Sequence, residues 1–304
     1  MALLDGRVAI VTGAGRGLGR AHALALAGAG AAVVVNDVGA ALSGAPLSGE
    51  GREETPADEV VAEIVASGGR AVADHHSVSD WKAAAAIIDT AVSEFGRLDI
   101  LVNNAGITRD RMLTSCTEDD FDLTIAVHLK GTYALCHHAA NHWRAESKAG
   151  RPVSGRIVNT TSGTGMFGNV GQSAYAAAKA GIIGITLSAA MELRRYGVTV
   201  NAISPIARTR MTAGLVPDAP ADGFDDLDPA NASPVVAFLG SAEAGWLTGQ
   251  VFRVEGSKLV RMRGWQPAGE YGSASGGQLI AGELIDGTAA LYGTVPAGVN
   301  TLNG

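Results

Sequence analysis

The chain has 304 residues, of which 47% are hydrophobic and 17% charged, and its 41 glycines show no collagen period. This composition excludes a disordered or fibrous protein and leaves room for one large domain or two small ones. The formal charge of −7 argues against nucleic acid as the main partner.

The opening, MALLDGRVAIVTG, runs straight into an apolar segment and lacks the basic start of a signal peptide. Arg7–Val11 reads as a buried strand, Gly17–Ala29 as a helix and Ala32–Val35 as a second strand. A Gly/Ser/Ala-rich loop, Gly39–Glu54, separates these from a helix over Pro56–Ala66 and a strand at Ala71–Ala73. A helix over Asp80–Phe95 and a strand at Ile100–Val102 come next, and then one long helix over Glu118–Ala145. Strand Arg156–Asn159, helix Ser173–Tyr196 and strand Val198–Ala202 continue the alternation, and Gln250–Val254 reads as the last strand. Alternation of this length predicts an α/β fold: a doubly wound, Rossmann-type parallel sheet with helices on both faces, in a single domain.

Two segments depart from this pattern. Ala207–Asp228 carries prolines and acids and reads as a mobile surface loop of the kind that often forms a lid. From about Trp265 the chain is Gly-rich, with a weak helical patch near Gln278–Ile285. Residues 1–264 are therefore assigned to the domain. Residues 265–304 form an extension, either a subunit-contact arm or a loosely ordered end. No uninterrupted apolar run reaches the roughly 18 residues expected of a membrane span, so no membrane association is expected. Cys116 and Cys136 have no paired spacing and read as reduced, with the cytoplasm as the default location.

Thr12–Gly19, T-G-A-G-R-G-L-G, lies between the first strand and the first helix. Gly13, Gly17 and Gly19 allow a tight turn, close approach to a pyrophosphate and tight helix packing, and a helix start directs free N–H groups at phosphate. Asp37 ends the second strand, where an acid accepts from a ribose 2′-OH and repels a 2′-phosphate, so NAD is favoured over NADP. Arg16 in the turn is the one feature that speaks for a 2′-phosphate. In Asn103–Gly106 (N-N-A-G), a strand-tying role and an adenosine-flanking role both remain open.

Tyr175 and Lys179 share one helical face in Y-A-A-A-K, and Ser162 precedes the tyrosine by thirteen residues. A phenol, an ammonium and a hydroxyl make a proton-transfer unit. Together with the glycine turn and N-N-A-G, this order resembles the short-chain dehydrogenase/reductase family over residues 5 to about 260. The resemblance implies that Ser162 holds the substrate oxygen and Tyr175 is the general acid/base. Lys179 then binds the nicotinamide ribose and lowers the tyrosine pKa toward working pH. It also implies that the cofactor is lined by Gly13, Arg16, Gly17, Leu18, Gly19, Asp37, Ser77, Val78, Asn104, Ala105, Gly106, Tyr175, Lys179, Pro205, Ile206 and Thr209.

Where the family usually has a fourth catalytic residue, an asparagine, this chain has His128 in A-V-H-L-K-G-T-Y. That substitution leaves open a side-chain role, a backbone role in a water relay, or simple packing. V-H-L-K-G-T, N-D-V-G, T-R-D-R-M-L and G-N-V-G-Q-S-A-Y are similar to one branch, the (3R)-hydroxyacyl-CoA dehydrogenase domain of the peroxisomal multifunctional enzyme and its bacterial single-domain relatives. Some members of this branch act on hydroxysteroids. The resemblance implies an acyl-CoA or steroid-like small-molecule substrate and a homodimer or homotetramer built on the long helices. The alternatives are an NADPH-dependent carbonyl reductase and a scaffold protein that has lost its chemistry. The histidines have no metal-site spacing beyond His138 and His142 at i,i+4, so no metal is expected. Ser162 sits in T-T-S-G-T-G rather than a hydrolase's G-x-S-x-G.

Overall fold

The first strand, VAIVT, is buried at all five positions, as is the second, AVVVN. Runs without polar alternation need cover on both faces, which is the condition of a central parallel strand. A computed structural model describes residues 2–45, 55–212, 216–267, 269–273, 276 and 278–292. In it, β1 (Val8–Thr12) and β2 (Ala32–Asn36) lie in an eight-stranded sheet with β3 (Arg70–Asp74), β4 (Ile100–Asn103), β5 (Arg156–Thr160), β6 (Thr199–Ile206), β7 (Val251–Glu255) and β8 (Lys258–Met262). The spatial order is β3-β2-β1-β4-β5-β6-β7-β8, with parallel pairing from β3 through β7.

The chain winds outward from β1 to β3 and then returns to place β4 beside β1. This reversal opens a crevice at the carboxyl ends of β1 and β4, where open α/β sheets bind ligands. Side-chain alternation divides the core between the two faces. Ile10, Val34, Leu101 and Ile157 pack with α3 (Trp81–Phe95), α5 (Gly131–Lys148) and α7 (Ser173–Leu193). Val11, Val33, Val102 and Val158 pack with α1 (Gly17–Gly28), α2 (Pro56–Ala66) and α8 (Ser233–Gly240). The α2 helix starts where expected because Thr55 and Asp58 form a reciprocal capping box ahead of Pro56.

Four expectations need correction. The segment Glu118–Ala145 is not one α-helix: α4 (Glu118–Thr124) passes into a π-helical stretch, Ile125–Lys130, before α5 begins at Gly131. Composition carries no marker for a π turn, which here is held by tertiary contacts. Gln250–Val254 is not the last strand, because Gly256, at φ 51°, turns the chain straight into β8. A two-residue connection of this kind joins antiparallel neighbours. The α8 helix went unread because S-P-V-V-A-F-L-G is short and apolar on all sides, and so shows no helical period. The fourth correction concerns Ala207–Asp228, whose limbs are stapled together rather than loose. Arg208 donates to Asp225 at 2.6 Å and to the Pro217 carbonyl at 2.8 Å. Residues 213–215 of this loop, 46–54 of the Gly39–Glu54 loop and 293–304 of the extension lie outside the described residues.

The span Ser173–Tyr196 has the length and apolarity of a membrane-crossing helix, with a mean hydropathy of 1.4. Ala178, Lys179, Ile182, Thr186 and Ala190 nevertheless form a buried stripe, and α7 packs on β5 and β6. By internal packing the chain divides into Met1–Arg261 and Met262–Gly304. The second unit contains α9 (Glu283–Tyr292), displaced toward the C-terminus from the expected helical patch.

On α1, His22 is fully buried, with Nδ1 2.9 Å from the Ser233 hydroxyl. Burial pushes its imidazole down to about 4. The unfolded chain, whose histidine keeps an ordinary pKa near 6.5, therefore takes up the proton first as pH falls. Stability should drop between about pH 6.5 and about 4, and this histidine should contribute on the order of a few kcal/mol. Urea unfolding of wild type and His22→Gln across that range should show a smaller acid loss in the variant. Equal losses would remove His22 from the account.

Candidate active site

The glycine turn closes on the end of β4. A Cβ on Gly13, at φ 62°, would stand 2.8 Å from the Ala105 Cα, and one on Gly19 would run into the Gly13 carbonyl oxygen. Gly17, at φ 54°, faces only the Thr209 side chain, 3.7 Å from where a Cβ would be. The β6 loop therefore comes over the turn, with Pro205 and Ile206 ending its strand. Bare backbone at three points ahead of a helix fits a dinucleotide pyrophosphate. Arg16 is the extended N-cap of α1, and Leu18 follows in its first turn.

Asn103 and Asn104 tie strands together. The Asn104 amide donates to the Thr12 carbonyl at 2.9 Å, and that of Asn103 donates to Asn159 Oδ1 at 2.8 Å. Thr12 Oγ1 accepts from the N–H groups of Asn104 and Ala105. Val78 is buried against Gly131, and the Ser77 hydroxyl lies 2.9 Å from that of Ser79.

The Asp37 carboxylate is held by two backbone donors, Gly15 N–H at 3.0 Å and Gly39 N–H at 2.8 Å. A Cβ on Gly15 would lie 2.9 Å from Asp37 Oδ2 and 2.6 Å from the Pro56 Cβ. Gly15 is thus the glycine that lets the turn reach the acid, a role its position between Ala14 and Arg16 does not disclose.

Ser162 ends the β5 exit as the N-cap of α6 (Gly163–Phe167) and accepts from Thr164 N–H at 3.2 Å. Its hydroxyl lies near enough to the Tyr175 phenol to favour the ionised form. Lys179 is 4% exposed, donates to the Thr160 carbonyl at 2.7 Å and holds its Nζ 5.5 Å from the Tyr175 ring centre. Gly165 makes this approach possible, since a Cβ there would be 2.6 Å from the Lys179 carbonyl carbon. The structure therefore joins serine, tyrosine and lysine as the sequence predicts.

The electrostatics differ from expectation. Burial pushes the Tyr175 phenol up to about 12, opposed by the Ser162 hydroxyl and reinforced by the nearby Asp110 carboxylate. Burial also drives Lys179 down to about 7. Desolvation outweighs the other influences on the phenol.

His128 sits in the π-helical stretch, 1% exposed. Its ring stands edge-on to Tyr175, with centres 5.2 Å apart. Nε2 lies 2.9 Å from the Ile107 carbonyl oxygen and 3.1 Å from the Ile107 N–H. Burial and the Lys179 charge push the imidazole down to about 3, so it is neutral. His128 is therefore both a packed histidine and a neighbour of Tyr175. Its ring also explains Gly106, where a Cβ would come within 2.6 Å of His128 Cε1.

Sequence reasoning missed Asp110, Thr164 and Gln172 as parts of the site. The Gln172 amide donates to Asp110 Oδ2 at 2.7 Å, while its oxygen accepts from the Thr164 hydroxyl at 3.1 Å. The signal was present in T-R-D-R-M-L and G-N-V-G-Q-S-A-Y, two motifs that marked a branch and that the fold brings together through an Arg111–Gln172 backbone bridge.

The chain matches known proteins. The family model for short chain dehydrogenases covers residues 7–219, and the chain belongs to that family. The family works with a nicotinamide cofactor. The chain is 48% identical over 262 residues to the hydroxyacyl-CoA dehydrogenase ChsB1 of Mycobacterium tuberculosis, covering 84% of this chain and 80% of that protein. It is 46% identical over 255 residues to the peroxisomal multifunctional enzyme type 2 of Drosophila melanogaster, covering 80% of this chain but only 40% of that longer protein. Among solved structures, a short chain dehydrogenase from Mycobacterium avium superposes with a TM-score of 0.86 at 53% identity, over 98% of this chain and 99% of that one.

The Gly106–His128 contact makes a test. Gly106→Ala should destabilise the protein by roughly 1–3 kcal/mol through overpacking. The same change in a His128→Ala background should cost much less, because contacting residues couple. Additive losses in thermal unfolding would show that His128 is not what requires the glycine.

Proposed function

We propose that this protein is an NAD-dependent dehydrogenase of secondary alcohols, with (3R)-3-hydroxyacyl-CoA thioesters as its substrate class and hydroxysteroids as the alternative. The observation that carries this reading is the Ser162–Tyr175–Lys179 constellation at the carboxyl end of β5, half-buried at the serine and tyrosine and buried at the lysine. The substrate class is supported by the hydroxyacyl-CoA dehydrogenase of M. tuberculosis at 48% identity.

Gly13, Gly17 and Gly19 would hold the cofactor's phosphates, and Tyr175 and Lys179 would lie against its nicotinamide half. When bound, the cofactor supplies the hydride acceptor. Tyr175 takes the alcohol proton at its phenolic oxygen, and Ser162 donates a hydrogen bond to the substrate oxygen as charge develops there. Lys179, anchored on the Thr160 carbonyl, places positive charge beside the ring and eases phenolate formation. His128 buttresses the ring edge-on and keeps its own charge out of the site.

The preference for NAD rests on Asp37. Its two oxygens spend one acceptor site each on backbone N–H groups, which leaves capacity for ribose hydroxyls and a negative charge against a 2′-phosphate. The exposed apolar side chains Leu187 and Met191 on α7 support a homo-oligomer built on the long helices. A cytoplasmic location fits a chain with two free cysteines.

Two measurements test this. Tyr175→Phe should lose at least about 10²-fold in turnover, the scale of general acid/base catalysis, while NADH binding by fluorescence is preserved. Near-normal turnover would overturn the assignment. Wild type should bind NADH at least about tenfold more tightly than NADPH, and Asp37→Asn should narrow that ratio. A preference for NADPH in the wild type would refute the cofactor reading.

A further inference from the structure

Asp110 is a carboxylate that the proton-transfer chemistry does not use, and its charge works against that chemistry. It lies within electrostatic reach of Tyr175 and opposes ionisation of the phenol. Neighbouring positive charge does not neutralise it. Arg109 and Arg111 flank it in the chain, yet both turn away to Asp120, at 3.0 and 3.5 Å. Among the described residues, no lysine, arginine or histidine forms an ion pair with Asp110.

Its position is nonetheless built. Gln172, three residues before Tyr175, donates to Oδ2 at 2.7 Å. The Gln172 oxygen is itself fixed by the Thr164 hydroxyl at 3.1 Å and the Asn169 amide at 2.9 Å. Thr164 completes the chain by donating its N–H to the Ser162 hydroxyl oxygen. One hydrogen-bonded line thus runs from the catalytic serine to an acid whose other oxygen, Oδ1, has no hydrogen bond or ion pair among the described residues. A half-buried, positioned and unneutralised acceptor in electrostatic reach of the tyrosine suits a donor on the substrate.

We infer that Asp110, held by Gln172, is a substrate-binding residue that accepts a hydrogen bond from an amide N–H of a pantetheine thioester. This rests on the hydroxyacyl-CoA reading above and deepens it. The pantetheine arm of such a substrate offers an amide N–H a few bonds from the thioester sulfur, whereas a steroid alcohol offers none. Close by in the chain, an open hollow of about 380 Å³ mixes apolar lining from Leu113, Phe121 and Ala174 with polar lining from Thr117, Glu118 and Ser173.

The test compares three thioesters of one 3-hydroxyacyl group: the CoA thioester, the N-acetylcysteamine thioester, which keeps the amide, and an S-butyl thioester, which lacks it. For the two amide-bearing substrates, Asp110→Asn and Asp110→Ala should each raise KM by roughly 10- to 100-fold, the scale of a hydrogen bond to a charged group, with kcat not lowered by more than about threefold, since loss of the charge does not hinder phenol ionisation. For the S-butyl substrate, KM should stay within about twofold of wild type. Asp110→Glu, which keeps the acceptor charge, should recover part of the loss. Unchanged NADH binding by each variant establishes that it is folded. Equal losses on all three substrates, or none on any, would overturn the inference while leaving the dehydrogenase reading intact. A wild type that turns over none of the thioesters would overturn both.

Discussion

A lysine ammonium held in the protein interior by one backbone carbonyl is the constraint on which the rest of this site depends. Lys179 donates to Thr160 at the last position of β5, so the strand end, the α6 turn and α7 must meet at one place. Gly165 lets α6 lie against the α7 backbone at that point, and the Thr161 hydroxyl locks it by donating to the Lys179 carbonyl at 2.8 Å. One helical turn earlier, Tyr175 shares the same face. Burial then sets the chemistry in opposite directions, making the phenol harder to ionise and the ammonium easier to lose. Neutral forms are favoured until a substrate and cofactor bring charge and exclude water.

The other side of the tyrosine is set by His128. An imidazole larger than the family's usual asparagine occupies the space beside Gly106 and reaches the Ile107 backbone from a widened, π-helical turn. Single π turns inside α-helices occur frequently at functional sites. Here the turn places His128 between the Ile107 backbone and the Tyr175 ring. The glycine, the histidine and the π turn form one packing solution, in which none of the three is free to change alone.

Much of this was legible in the sequence, and the parts that were not have physical reasons. Buried strands such as VAIVT and AVVVN announce a parallel sheet because no other setting covers both their faces. Tyr175, Lys179 and Ser162 were readable because helical spacing and strand ends impose their positions. By contrast, α8 is apolar all round, and β8 follows a two-residue turn that resembles any loop. The π turn and the roles of Gly15 and Gly106 depend on contacts between residues distant in the chain, which periodicity does not encode. The upward push on the Tyr175 phenol was not legible, because pairing with Lys179 is visible in sequence and burial is not.

Lys179 and Tyr175 are expected to act as one ionising unit. The pH dependence of single-turnover alcohol oxidation, compared between wild type and Lys179→Met, addresses it most directly. Removing the ammonium leaves the buried phenol without its neighbouring charge, so the ionisation that limits the rate should move to higher pH in the variant. An ionisation at the same pH in both proteins would contradict the account.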